Sequence, residues 1–211
     1  MRASKFRALA TAAALVGWSF AAPRVRFHPV PNAALGTGLA AFTRPPLGLR
    51  PPALTSGLRN GVPAAAAIAL VGAAIMAIPQ VRADMVRRER SDHPVRWLLL
   101  DIPLGTVWPE EVAFRAMLGG MAQEAFGPVG ARWLQAVTFG LWHIVDARLT
   151  GHPVLGTVFA TAVTGWSLGW LHDRSGSLAA PMLAHLAINE VGAVATLVVQ
   201  GRRSSPRACD R

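Results

Sequence analysis

Long apolar runs alternate along this chain with short breaks rich in proline and arginine, and the runs have membrane-crossing length. Taking about 20 residues per crossing, residues 62–81, 97–122, 129–147, 153–171 and 177–199 each qualify as a span. A sixth run, residues 8–22, is flanked by Lys5 and Arg7 before it and by Arg24 and Arg26 after it. We read it as a retained first span. The alternative is the apolar region of a signal peptide, because Ser19 and Ala21 would suit a cleavage rule. Residues 33–43 are too short to cross and read as a re-entrant or interfacial piece. The pattern predicts an all-α fold, a polytopic transmembrane helical bundle of about six spans. Residues 1–60 form short apolar segments and a Pro/Gly-rich linker, 61–201 the membrane bundle, and 202–211 a basic C-terminal tail.

Composition agrees with that pattern. Of 211 residues 52% are hydrophobic and 15% charged, against about 25% charged in soluble domains, so much of the surface must face lipid. The net charge of +10 arises from 21 basic residues against 11 acidic ones. These basic residues fall mostly between the apolar runs, which suits anionic lipid headgroups and gives no aromatic platform for nucleic acid. The densest basic stretches are the loop holding Arg82, Arg87, Arg88, Arg90 and Arg96 and the tail holding Arg202, Arg203, Arg207 and Arg211. Four spans separate them, so both can be cytoplasmic, which predicts an integral protein of the bacterial plasma membrane with its C-terminus inside. The linker from 23 to 60, with five arginines, is then forced outside. The single cysteine, Cys209, permits neither a disulfide nor a cysteine zinc site within one chain.

Three apolar segments carry polar residues that composition alone does not explain. In TVWPEEVAFRAM, Pro109 suits a first helical position, and Glu110, Glu111 and Arg115 follow. Glu111 and Arg115 are i, i+4 partners, while Glu110 points about 100° away from Glu111 around a helix. At a helix centre in lipid each charge costs roughly 2.5–3.5 kcal/mol, so the three must face the bundle interior. FGLWHIVD places Phe139 and His143 on one face of the next helix with Asp146 a turn further on, and HLAIN places His185 and Asn189 together on the last.

Those residue types suit hydrolysis. No HExxH pair is present, but Glu110 and His143 can converge to bind and deprotonate a water. His185 and the Asn189 amide can donate hydrogen bonds to an oxyanion. No Ser or Cys nucleophile accompanies the motifs, so water attack fits better than a covalent intermediate. Glu110, His143 and His185 would equally make a zinc set, so a divalent metal stays open beside a reaction that requires no cofactor.

EEVAFR, FGLWH and HLAIN together resemble the EExxxR, FxxxH and HxxxN motifs, in order, of the CPBP family of CAAX-processing proteases and bacteriocin-processing or immunity proteins. The resemblance covers residues 95–199. It implies an intramembrane endopeptidase in which Glu110 and His143 activate water and His185 and Asn189 hold the oxyanion. It implies for Glu111 and Arg115 a supporting role behind the reacting groups. The implied partner is a peptide or protein substrate at the membrane, with anionic lipids around it and neither nucleic acid nor a small-molecule cofactor. A non-catalytic scaffold or bacteriocin-immunity-like protein that keeps the polar cluster is the competing expectation. His28, His93 and His152 beside prolines, and His172 at a helix end, read as solvated or capping residues. Asp101 reads either as a residue near the membrane surface or as the partner of an arginine.

Overall fold

The computed structural model describes residues 2–21, 29–87 and 92–204, with the side chains of 202–204 excepted. Arg24, Arg26, His28, Arg88, Arg90, Arg207, Cys209 and Arg211, and the side chains of Arg202 and Arg203, therefore lie outside the described residues.

Among the described residues the chain is helical, with no strand. The N-terminal part holds α1 (Arg2–Ala21), α2 (Pro29–Thr43), α3 (Ala53–Ile75) and α4 (Pro79–Arg87). Next comes a helical path from Pro94 whose turns are repeatedly wide. It contains α5 (Pro94–Arg96), the π-helical segments π1 (Trp97–Asp101) and π2 (Pro103–Val107), then α6 (Trp108–Glu111) and π3 (Val112–Leu118). The chain ends with α7 (Gly119–Trp142), α8 (Ile144–Thr150), α9 (Val154–Ser175) and α10 (Ala179–Ser204).

Several boundaries differ from the sequence expectation, each for a local reason. The run read as 62–81 is two helices, because α3 begins earlier at Ala53 and ends at Ile75, and α4 starts afresh at Pro79. The runs read as 97–122 and 129–147 meet at Gly127, whose φ of 72° and ψ of 176° only glycine adopts readily. Pro128 follows, and there the chain reverses. His143 then leaves helical geometry (φ −85°, ψ 4°), which separates α7 from α8.

Among the described residues three helices are long and apolar enough to cross a membrane: α3, α9 and residues Ala179–Gly201 of α10. The expected count of about six is not reached by that measure. The path through π3 is broken into α and π segments of three to seven residues, none of crossing length by itself. The lipid-compatible surface is clear on α9, where Leu155, Phe159 and Val163 lie 86%, 73% and 52% exposed. Side chains of this kind would be a liability in water and are favourable in acyl chains.

The motif path occupies the middle of the molecule. Phe114 and Leu118 of π3 pack with Ala12 of α1, Ala113, and Phe139 of α7. Val112 and Ala116 pack with Leu178 at the start of α10. Leu168 and Leu171 of α9 meet Ala180 and Ala184 of α10. The segment between α2 and α3 straps the α9–α10 turn: Leu178 N–H donates to the Leu47 carbonyl (2.9 Å) and Ser177 Oγ to the Gly48 carbonyl (2.7 Å). Helix α3 lies against α10 through small residues, and a Cβ on Gly61 would stand 2.8 Å from Ala180 Cα.

Close helix contact of this sort is a main source of cohesion where no hydrophobic effect separates helix from lipid. Gly61→Val is therefore expected to force α3 from α10 and cost about 1–3 kcal/mol. Thermal unfolding in detergent should show a lowered midpoint for Gly61→Val and none for Leu155→Ala on the exposed face of α9. Equal midpoints for Gly61→Val and wild type would refute the packing role.

Candidate functional site

The three polar sites come together where the motif path, α7 and α10 meet. Glu111 is wholly buried, and each of its oxygens has a cationic or N–H neighbour. Nδ1 of His185 donates to Glu111 Oε1 at 2.7 Å. Nε of Arg115, also wholly buried, lies 3.3 Å from Oε2. The i, i+4 pairing read from the sequence is thus present, and α10 adds a second partner from 74 residues away.

Glu110 stands on the other side of the same imidazole. Its Oε2 lies 3.8 Å from Nε2 of His185, beyond hydrogen-bond reach. Two adjacent carboxylates therefore flank one ring, one bonded to Nδ1 and one facing Nε2. Glu110 meets His185 by this contact.

His143 enters the group through Phe139. Its Nδ1 lies 2.8 Å from the Phe139 carbonyl oxygen. A carbonyl can only accept, so the proton sits on Nδ1 and the lone pair on Nε2. The Phe139 ring stands edge to face with both histidines, 4.7 Å from His143 and 5.9 Å from His185 between centroids. It also lies under Arg115, with the guanidinium carbon 4.4 Å from the ring centre, a cation–π contact of the kind strengthened by desolvation. Phe139 is 2% exposed and touches the rings of Phe114 (5.0 Å) and His143, so it sets the spacing of the cluster.

Four parts of the cluster are buried without a hydrogen-bond partner: Glu110 Oε2, Asn189 Nδ2, and the ion-paired Glu111 Oε2 and three nitrogens of Arg115. Buried polar atoms are nearly always paired, so the first two mark an acceptor and a donor available to a bound molecule or water. Asn189 lies one turn beyond His185 on α10, as the spacing requires, and its Nδ2 makes no hydrogen bond.

His172 was read from the sequence as a solvated or capping residue. Its carbonyl does cap α9, accepting the Gly176 N–H at 2.8 Å. Its side chain is half-buried. Asp101 takes the second of its two expected roles: its Oδ1 is 3.2 Å from Arg96 Nε. Asp146 opens α8 and belongs to the end of the helix rather than to the cluster.

Among the described residues no group of three or more His, Cys, Asp and Glu side chains is arranged to hold a metal ion.

A family model described as type II CAAX prenyl endopeptidase Rce1-like matches residues 92–191, just under half of the chain. Residues 92–191 are Rce1-like. That stretch contains all three motifs and every residue of the cluster, so the family resemblance drawn from the motifs stands. Similarity of this stretch to that family suggests a CAAX-type intramembrane protease and, with the three apolar helices, points to an integral membrane protein. No curated protein and no solved structure matches the chain.

The Glu111–Arg115–His185 contacts predict a stability effect separate from chemistry. Arg115→Ala leaves a wholly buried carboxylate without its guanidinium, and breaking a buried pair in this way costs roughly 3–5 kcal/mol. A large fall in the unfolding midpoint of the purified protein is expected. Unchanged stability would mean that water reaches Glu111.

Proposed function

We propose that this Rce1-like protein is an intramembrane endopeptidase of the CAAX-processing and bacteriocin-processing type, hydrolysing a peptide bond near the membrane with water activated by Glu110. The observation that carries the reading is the pair of unmatched buried groups beside His185, the Glu110 Oε2 acceptor and the Asn189 Nδ2 donor. Water needs an acceptor for its proton, and the tetrahedral oxyanion needs donors.

On this reading Glu110 takes a proton from water as the water oxygen bonds to the scissile carbonyl carbon. His143 offers its Nε2 lone pair as a second acceptor that orients the water. His185, donating from Nε2 with both ring nitrogens protonated, and Asn189 face the oxyanion, with Glu111 accepting from the His185 Nδ1–H and Arg115 holding Glu111. Glu110 then returns its proton to the leaving amine as the C–N bond breaks. The electrostatic work is done in a dry site, where prearranged dipoles act strongly. We infer that the substrate is a peptide or protein tail at the membrane. The protein itself is read as resident in a bacterial plasma membrane, with its basic loop and tail on anionic lipid at the cytoplasmic face.

Purified protein in detergent, incubated with membrane-peptide substrates and followed by mass spectrometry of the products, tests the assignment. Glu110→Gln keeps the size of the side chain and cannot accept the proton, so cleavage should vanish while the unfolding midpoint stays near wild type. Retained cleavage in that variant would end the general-base role. Asn189→Ala should reduce kcat by roughly 100 to 1000-fold with little change in KM, the usual effect of losing one oxyanion donor. Phenanthroline should leave turnover unchanged, whereas reversible loss with zinc rescue would install a metal in place of the Glu110 base.

A further inference from the structure

We propose that α2, which precedes the Rce1-like stretch, is a working part of the site: Asn32 and Gly36 are positioning residues that fix the helix start carrying Glu110. The proposal rests on the catalytic reading of Glu110, but its geometry is independent of it.

The argument starts from Pro109. An α-helical bond from residue 109 would satisfy the carbonyl of Gly105, and proline has no N–H to make it. The chain therefore reaches Glu110 through a weakened stretch, with the wide turns of π2 just before it and those of π3 just after. Wide π turns carry less favourable backbone bonding than α turns and persist where neighbours support them. Helix α2 supplies that support from outside the path. Asn32 Nδ2 donates to the Gly105 carbonyl at 3.0 Å, standing in for the missing bond. Trp108 Nε1 donates to Thr37 Oγ1 at 3.1 Å, immediately before Pro109.

Glycines make the approach possible. A Cβ on Gly36, which is buried, would stand 2.8 Å from Pro109 Cα and 3.3 Å from the Trp108 ring. A Cβ on Gly105 would stand 2.8 Å from Pro29 Cβ. These gaps are under van der Waals distance, so one glycine on each side lets the two backbones meet. The contacts fall on residues 105, 108 and 109, within five positions of the carboxylate that accepts the proton. Their placement matches a brace on Glu110: Leu39 and Ala40 of α2 continue the packing beside Val112 and Ala116, while its opposite face is bare, with Phe42 88% exposed.

The test compares Asn32→Asp, Asn32→Ala, Gly36→Ala and the control Phe42→Ala in the full-length protein. Asn32→Asp is nearly isosteric but puts an acceptor against the Gly105 carbonyl, so it separates the hydrogen bond from mere packing. Hydrogen–deuterium exchange should rise at least tenfold for the amides of residues 105–111 in both Asn32 variants and in Gly36→Ala. Exchange in α9 and α10 should not change, and Phe42→Ala should match wild type throughout. With a cleavable peptide, kcat should fall about 10 to 100-fold at unchanged KM, the scale expected for a base misplaced by about 1 Å. Wild-type exchange at 105–111 in Asn32→Asp would overturn the brace. So would a rise spread evenly over the whole bundle, which is the mark of general unfolding. Faster local exchange in a protein that cleaves nothing would leave the brace standing and remove the protease reading instead.

Discussion

The carboxylate of Glu111 holds this molecule in register. It is wholly buried, with Arg115 on one oxygen and His185 on the other. The motif path and α10 cannot slide or rotate past each other without leaving a charge uncompensated in a low-dielectric interior, a far larger penalty than the loss of any one apolar contact. Once that pair of contacts is made, the position of Glu110 follows from its backbone adjacency. It must emerge on the other side of the His185 ring, and it does, 3.8 Å from Nε2. Phe139 completes the arrangement by filling the space between Arg115 and both histidines.

That arrangement needs unusual backbone. Adjacent glutamates on a regular α-helix diverge by about 100°, yet here both address one imidazole. The wide turns on either side of Glu110 and Glu111 give the path a local geometry different from a regular helix, and such turns are frequent at functional sites. A path of this kind, interrupted by Pro103 and Pro109, does not hold its shape from its own hydrogen bonds. It is shaped by what surrounds it: α1 and α7 at Phe114 and Leu118, Leu178 of α10 at Val112 and Ala116, and α2 at Gly105 and Pro109. The molecule is thus organised around its least regular segment, with its most regular helices outside.

Polarity is distributed accordingly. The outward faces of α3 and α9 are apolar and exposed, while charge is drawn to the centre, where Glu111 and Arg115 see no solvent. A segment of this kind can lie deep in the bundle while carrying charge, because the charged residues are the ones turned inside. Hydrolysis within such a site requires few dipoles, provided that they are held still and shielded from bulk water.

The sequence by itself determined the class of protein and the names of the residues in its cluster. Long apolar runs demand helices in lipid because only internal hydrogen bonding satisfies the backbone there. Charges within those runs must turn inward because lipid cannot solvate them. Spacing of four residues brought Glu111 to Arg115, Phe139 to His143 and His185 to Asn189, since such spacing acts within one helix. What passes between helices was decided only by the tertiary structure. That His185 bonds Glu111, that Glu110 faces His185, and that α2 lies on Pro109 all depend on the wide turns, on the reversal at Gly127, and on glycines that let backbones meet. None of these has a period along the chain, because each arises from two segments far apart in sequence finding complementary shape.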